Sequence, residues 1–177
     1  PLSSRPTFDD AGWDRLVDGL NKVGKLCRRY GIRAAFHHHM GTGVQTAEEI
    51  DRLLSQTEME TVFLCADTGH MQFSGFDPYP VFEKHMDRIA HIHLKDLREN
   101  VFNEMLSTDA SFLNSILEGI FTVPGDGMID FTPIFNLINE SGYKGWMIVE
   151  AEQDPSNFNP LHYAKKARRY IRETANL

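Results

Sequence analysis

The stretch "RAAFHHHMGTG", Arg33 to Gly43, places three imidazoles directly after a short apolar run. Consecutive histidines fit a purification tag, a solvated loop or the open end of a β-strand aimed at a metal. A mid-chain position argues against a tag. Upstream, "WDRLVDGLNKVGKLCRRYG" carries Trp13, Leu16, Val17, Leu20, Val23 and Cys27 at helical spacing and stops at Gly31. Downstream, "TAEEIDRLLSQ" opens with Thr46 and Glu49 at capping-box spacing, in which each satisfies a backbone donor near the other. The histidines therefore close a short strand, "IRAAFHHH", held between two helices.

The same unit recurs along the chain. "TVFLCAD" reads as a buried strand by its unbroken apolar character, and "DPYPVFEKHMDR" as a helix whose first turn tolerates proline. "IAHIHLKD" is a third strand. A less regular insert follows from Leu97 to about Met128, with a helix expected near Ala110 to Leu117 and a turn-rich "PGDG". "DFTPIFNLINESG" is a helix with a glycine stop, "GWMIVEAE" a fourth strand, and "NPLHYAKKARRYIRETA" the last helix. Alternation of this kind implies right-handed crossovers and a parallel sheet, and the absence of a low-complexity linker points to a single domain over residues 1–177. Four βα units do not close an eight-fold barrel, which takes about 250 residues. Either the sheet stays open, or the chain is the C-terminal half of a (β/α)8 TIM barrel. The strand ends favour the second.

Ligands and catalytic groups collect at the carboxyl ends of parallel strands, because the loops there vary over a rigid base. The first strand here ends in His37, His38 and His39, and the second in Asp67 with His70 three residues on. The third ends in His93, Lys95 and Asp96, the fourth in Glu150 and Glu152. Strand alternation selects one inward set, His37, Asp67, His93 and Glu150, as candidate metal ligands. Two imidazoles and two carboxylates suit a divalent ion of the manganese, cobalt, zinc or iron kind, with positions left for substrate oxygens. His38 is expected on the helix side or in solvent, His91 as a core histidine, and His85 and His162 as surface or packing residues. Asp67 alone could start a loop, and Glu150 alone could pair with an arginine; the joint pattern carries the metal reading.

Composition narrows the function classes. A chain of 177 residues, 41% hydrophobic and 24% charged, makes an ordinary globular domain rather than a disordered one. No apolar run approaches the roughly 18 residues of a membrane span, and the beginning, "PLSSRPTFDD", has no basic-then-apolar signal. Cys27 and Cys65 read as buried thiols of a reducing compartment, so the cytoplasm is expected. A net charge of −7 argues against nucleic acid, and the one basic run, "KKARRYIR", has the spacing of a solvated helix face.

The segments "HHHMGTGVQT", "ADTGHMQFSG", "HIHLKD" and "PGDGMIDFTPIFNLINESGYKGWMIVEAEQDP" resemble the xylose-isomerase-like TIM-barrel superfamily, and within it the inosose dehydratases of inositol catabolism. The resemblance covers nearly the whole chain; "FHHHMGTGVQT" and "VEAEQDP" are its more specific parts. It implies a carbon–oxygen lyase that dehydrates 2-keto-myo-inositol, a small cyclitol, and a missing N-terminal half that supplies the first four strands. In the sugar epimerases of the superfamily Glu, Asp, His and Glu hold the metal. The matching positions are His37, Asp67, His93 and Glu150, so a histidine stands where those relatives have glutamate. Whether His37 ligates, His39 does instead, or three residues suffice stays open. The resemblance implies manganese or cobalt, and glutathione, for which no spacing in the sequence shows a site. For the chemistry, His70 or Glu152 would contact substrate, Lys95 would assist at its oxygens, and His39 would shuttle protons. The competing readings are a sugar or cyclitol isomerase or epimerase, a non-catalytic metal- or sugar-binding protein, and an abasic-site endonuclease. No membrane partner is expected, and half-barrels can pair as homo-oligomers.

Overall fold

The computed structural model describes residues 2–175. Strands β1 (Ala34–His37), β2 (Val62–Asp67), β3 (Ile89–Leu94) and β6 (Trp146–Val149) form one parallel sheet in the order β1-β2-β3-β6. Register aligns His37 with Cys65, Asp67 with His93, and His93 with Ile148, which brings the carboxyl ends level. Between them lie β4 (Asp96–Leu97) and β5 (Phe121–Thr122), a two-residue antiparallel pair.

Helices α1 (Asp10–Arg29), α2 (Ala47–Gln56), α4 (Tyr79–His85), α7 (Thr132–Ser141) and α8 (Pro160–Thr174) occur where the apolar periodicity places them. The capping box on α2 forms as read, with Thr46 accepting from the Glu49 N–H and Glu49 accepting from the Thr46 N–H at 2.9 Å. Helix α7 ends at Gly142, whose φ of 69° is a conformation that glycine adopts without strain.

The sheet's two faces differ in kind. Leu64, Ala66, Ile92 and Leu94 point to the helices and are buried among Leu53, Val81, Phe82, Ile134 and Phe135. Each such leucine or isoleucine side chain contributes roughly 1.5–3 kcal/mol when fully removed from water. The alternate residues, His37, Cys65, Asp67, His93 and Lys95, face the other way, together with the exposed Trp146 and Ile148.

Two local expectations change and one unassigned segment takes a form. The segment after Asp67 is a short helix, α3 (Thr68–Phe73); six residues are too few to show a period, and Asp67 caps it through the His70 N–H at 3.0 Å. The insert holds α5 (Glu99–Ser107) as well as the expected helix, α6 (Phe112–Leu117). Of the two cysteines, both free, Cys65 is buried on β2 but Cys27, on α1, is only half-buried. No helix among the described residues is long and apolar enough to cross a membrane.

Candidate active site

Asp67 is the hub of the polar rim. Its Oδ2 stands 3.2 Å from His37 Nε2, 3.2 Å from His93 Nδ1 and 3.5 Å from Lys95 Nζ. Register explains the convergence: β2 is central, so a carboxylate at its end reaches residues from β1 on one side and β3 on the other. Glu150, one residue past β6, completes the group at 3.2 Å from His93 Nδ1 and 2.8 Å from Lys95 Nζ.

A second ring of groups surrounds Lys95, whose side chain is wholly buried. Its ammonium lies 3.1 Å from Glu152 Oε2, 3.3 Å from His70 Nε2 and 4.6 Å above the Phe121 ring. Its stem runs where a side chain on residue 69 would be: a Cβ on Gly69 would stand 2.5 Å from Lys95 Cγ. The glycine of "DTGH" thus has a steric reason, since only a bare backbone lets the lysine pass. His39 packs on His70 with ring centroids 3.7 Å apart, and its Nδ1 lies 2.7 Å from the Met40 carbonyl.

Charge in this cluster is shared unevenly. Burial opposes ionisation of Asp67, yet hydrogen bonds from His37 and His93 and the Lys95 charge hold its carboxyl well below the usual range. His93 is pushed up to about 11 by hydrogen bonding to Asp67, Cys65 and Glu150. Glu150 is lowered to about 2 by His93 and Lys95, against the effect of burial. Lys95 is raised despite its burial, by Asp67, Glu150 and Glu152. Burial lowers His70 to about 2, so it is neutral; the Met40 N–H lies 3.4 Å from its Nδ1 and the Lys95 ammonium 3.3 Å from its Nε2, with Glu152 farther off at 4.0 Å.

The donor set fits a divalent cation. Ligands about 2.0–2.2 Å from an ion stand roughly 3.0–3.5 Å from one another. His93 Nδ1 is 3.2 Å from an oxygen of Asp67 and 3.2 Å from one of Glu150, and the three donors lie within 4.8 Å. Carboxylate with imidazole is the chemistry that first-row divalent ions accept. A bound ion would displace the His93 proton and compete with Lys95 for two oxygens.

All eight sequence-selected residues meet at this rim: His37, Asp67, His93 and Glu150 around Asp67 Oδ2, and His39, His70, Lys95 and Glu152 beside them. His37 rather than His39 faces Asp67. Asp96, the remaining acidic strand-end residue, does not join. Its oxygens accept backbone N–H groups of Leu97, Gly127 and Ile129 at 2.8, 2.9 and 3.0 Å, which fastens the insert. His38 is buried on the helix side, where its Nε2 accepts the Asp67 N–H at 3.2 Å; burial lowers it to about 3, and its Nδ1 has no hydrogen-bond partner among the described residues. Sequence reading missed the aromatic wall. Phe112 and Phe121, both from the insert, lie 5.1 Å from His39 and 5.2 Å from His70 by ring centroids. The signal available was the cluster of aromatics in "SFLNSILEGIFTV".

A parallel α/β sheet with imidazoles and carboxylates gathered at its carboxyl rim defines a class of metal-competent α/β proteins. The chain belongs to the xylose isomerase-like TIM barrel family, whose model matches residues 1–174. It is 53% identical over 176 residues to a protein named inosose dehydratase from Geobacillus thermodenitrificans, covering 99% of this chain and 59% of that one. Among solved structures it is similar to the IolI protein with a binding zinc atom, at a TM-score of 0.72 and 16% identity over 97% of this chain and 59% of that one. It is also similar to the probable 3-DHS dehydratase AsbF of Bacillus anthracis, at 0.73 and 14% over 93% and 58%. These two likenesses show the fold. The chain spans about three-fifths of the length of the curated relatives it matches.

Proposed function

We propose that this chain carries the metal-holding side of an active site that removes water from 2-keto-myo-inositol to give a trihydroxycyclohexane dione. The observation that carries the reading is the 53% identity with an inosose dehydratase over 176 residues, nearly the whole of this chain. The four-stranded sheet is, in this reading, the C-terminal part of an eight-stranded barrel, and residues 1–177 form one domain of it. That partition fits the exposed Trp146 and Ile148, which share the rim's face and would line a barrel interior.

Asp67, His93 and Glu150, with His37 as fourth donor, would hold the cation, manganese or cobalt. The ion would supply Lewis acidity that polarises the ketone and stabilises the enediolate. The chain's own groups handle protons. Glu152 is the most exposed of the inner ring, at 35% of its side chain, and is suited to meet the substrate and take the proton α to the ketone. Lys95, 3.1 Å from that carboxylate, donates to substrate oxygens. The β-hydroxyl leaves as water when an acid protonates it, and His39, half-exposed against the neutral His70, is suited to deliver that proton. The Phe112 and Phe121 rings keep bulk water off this side. The net change is loss of one water, with no oxidant or reductant.

The test is incubation of the metal-loaded protein with 2-keto-myo-inositol in deuterated water. Growth of dione ultraviolet absorption, α-deuterium exchange, and loss of both with chelator support the reading. A product of unchanged mass would make the enzyme an isomerase or epimerase instead, and no turnover with any metal would leave a binding protein.

A further inference from the structure

The polar face of the sheet continues one layer below the rim. Cys65 precedes Asp67 by two residues on the same face of β2, is 5% exposed, and pairs in register with His37 on β1 and His91 on β3. One donor atom each from His37, Cys65 and His93 lies within 4.8 Å of the other two, the same limit that encloses Asp67, His93 and Glu150. An aliphatic residue would fill a buried strand position equally well; here a thiol sits between two imidazoles. The side chains of His37 and His93 are 32% and 19% exposed, so an ion can reach this layer from the open face.

We propose that His37, Cys65 and His93 form a second, deeper cation site that takes a thiophilic divalent ion such as Zn2+. Thiolate with two imidazoles is a zinc donor set with one coordination position open, whereas manganese and other hard ions prefer the oxygens of the upper set. Binding is a proton exchange: the Cys65 S–H bond breaks and His93 gives up the proton on its ligating nitrogen, both protons go to solvent and the sulfur–metal and nitrogen–metal bonds form, with no change of oxidation state. His93, and His37 as the fourth donor of the upper set, belong to both sets. Zinc in the deeper site therefore draws two ligands from the upper one, and the strand face sorts soft ions from hard ones by depth. This inference shares His37 and His93 with the proposed metal centre but does not depend on the dehydration.

X-ray absorption of the chain loaded with Zn2+ alone tests it, with Co2+ as the optical probe. The expected result is one sulfur neighbour at about 2.3 Å and a near-ultraviolet thiolate-to-cobalt band. Both vanish in Cys65→Ser and Cys65→Ala and persist in Cys27→Ser. Zinc affinity of the Cys65 variants falls by at least roughly 10–100-fold, the loss that even outer partners of a metal ligand cause, while Mn2+ affinity is unchanged. Should the Cys65 variants fail to fold, Glu150→Gln decides: it weakens the upper set, so zinc keeps its sulfur neighbour if the deeper site is real. Only nitrogen and oxygen neighbours in the unsubstituted chain, or a cobalt band unchanged in Cys65→Ser, overturns the proposal. Sulfur-bound zinc without dehydration under any metal would retain the deeper site and reject the proposed activity. Dehydration without sulfur ligation would do the reverse.

Discussion

Asp67 ends β2 of the parallel sheet and Asp96, two residues past β3, opens β4 of the antiparallel pair; both are fully buried, and they do different work. The Asp67 oxygens meet side chains, two imidazoles and an ammonium, and its carboxyl is held ionised. Asp96 meets backbone N–H groups of the insert, and burial outweighs those hydrogen bonds to push its carboxyl up. Position at a strand end therefore does not decide a role. What decides it is whether the chain that follows folds back over the carboxylate, as the segment after β5 does over Asp96, or leaves it to side chains from neighbouring strands.

Substitutions can break this comparison. Asp67→Asn keeps shape and the cap on α3 but removes the shared oxygen. We expect metal affinity and turnover to fall by at least about 10³-fold, about 4 kcal/mol, read by metal titration and product absorbance; retained metal would mean that Asp67 is no ligand. Lys95→Met keeps the buried stem beside Gly69 and removes the charge. Turnover should fall roughly 10²–10⁴-fold, the scale of a lost proton-handling group, while metal affinity does not fall, because a competitor for the same oxygens is gone. A parallel loss of metal would place Lys95 in support of the ligands instead. Asp96→Ala strands three backbone donors and should cost about 2–4 kcal/mol of stability by denaturant unfolding, at roughly 1–3 kcal/mol per unsatisfied group with partial relaxation, with metal stoichiometry intact. Metal loss at full stability would contradict the division between the two acids.

The smallest expected effect lies far from both. Burial opposes ionisation of Glu49, but hydrogen bonds from the Thr46 and Gln45 backbone and from Arg5 hold its carboxyl below the ordinary value. A carboxyl lower in the folded than in the unfolded state stabilises above the unfolded value, and that contribution is lost as pH falls through the carboxylate range. Glu49→Gln should flatten the acid-side fall of the melting temperature. An unchanged pH slope would show that the capping box adds nothing.

Much of this arrangement was legible in the sequence because strand alternation has a period of two. Once "IAHIHLKD" is a strand, His93 and Lys95 must share a face, and the same rule selects Asp67 and Glu150. Parallel register then brings those faces level. What stayed hidden depends on chain reversal. The role of Asp96, the aromatic wall of Phe112 and Phe121, and α5 all arise from the insert between Leu97 and Met128, whose fold is fixed by long-range contacts such as Arg98 with the Gly119 and Phe121 carbonyls and with Asp126. No local period announces those. His38 was legible only as facing away from the site, since its bond to the Asp67 backbone needs the neighbouring strand in place.

Anomalous diffraction from crystals grown with Mn2+ tests the central claim most directly. The account predicts a single manganese peak bonded to Asp67, His93 and Glu150 at the carboxyl ends of β2, β3 and β6. A peak elsewhere, with His93 still hydrogen-bonded to Asp67, would contradict it.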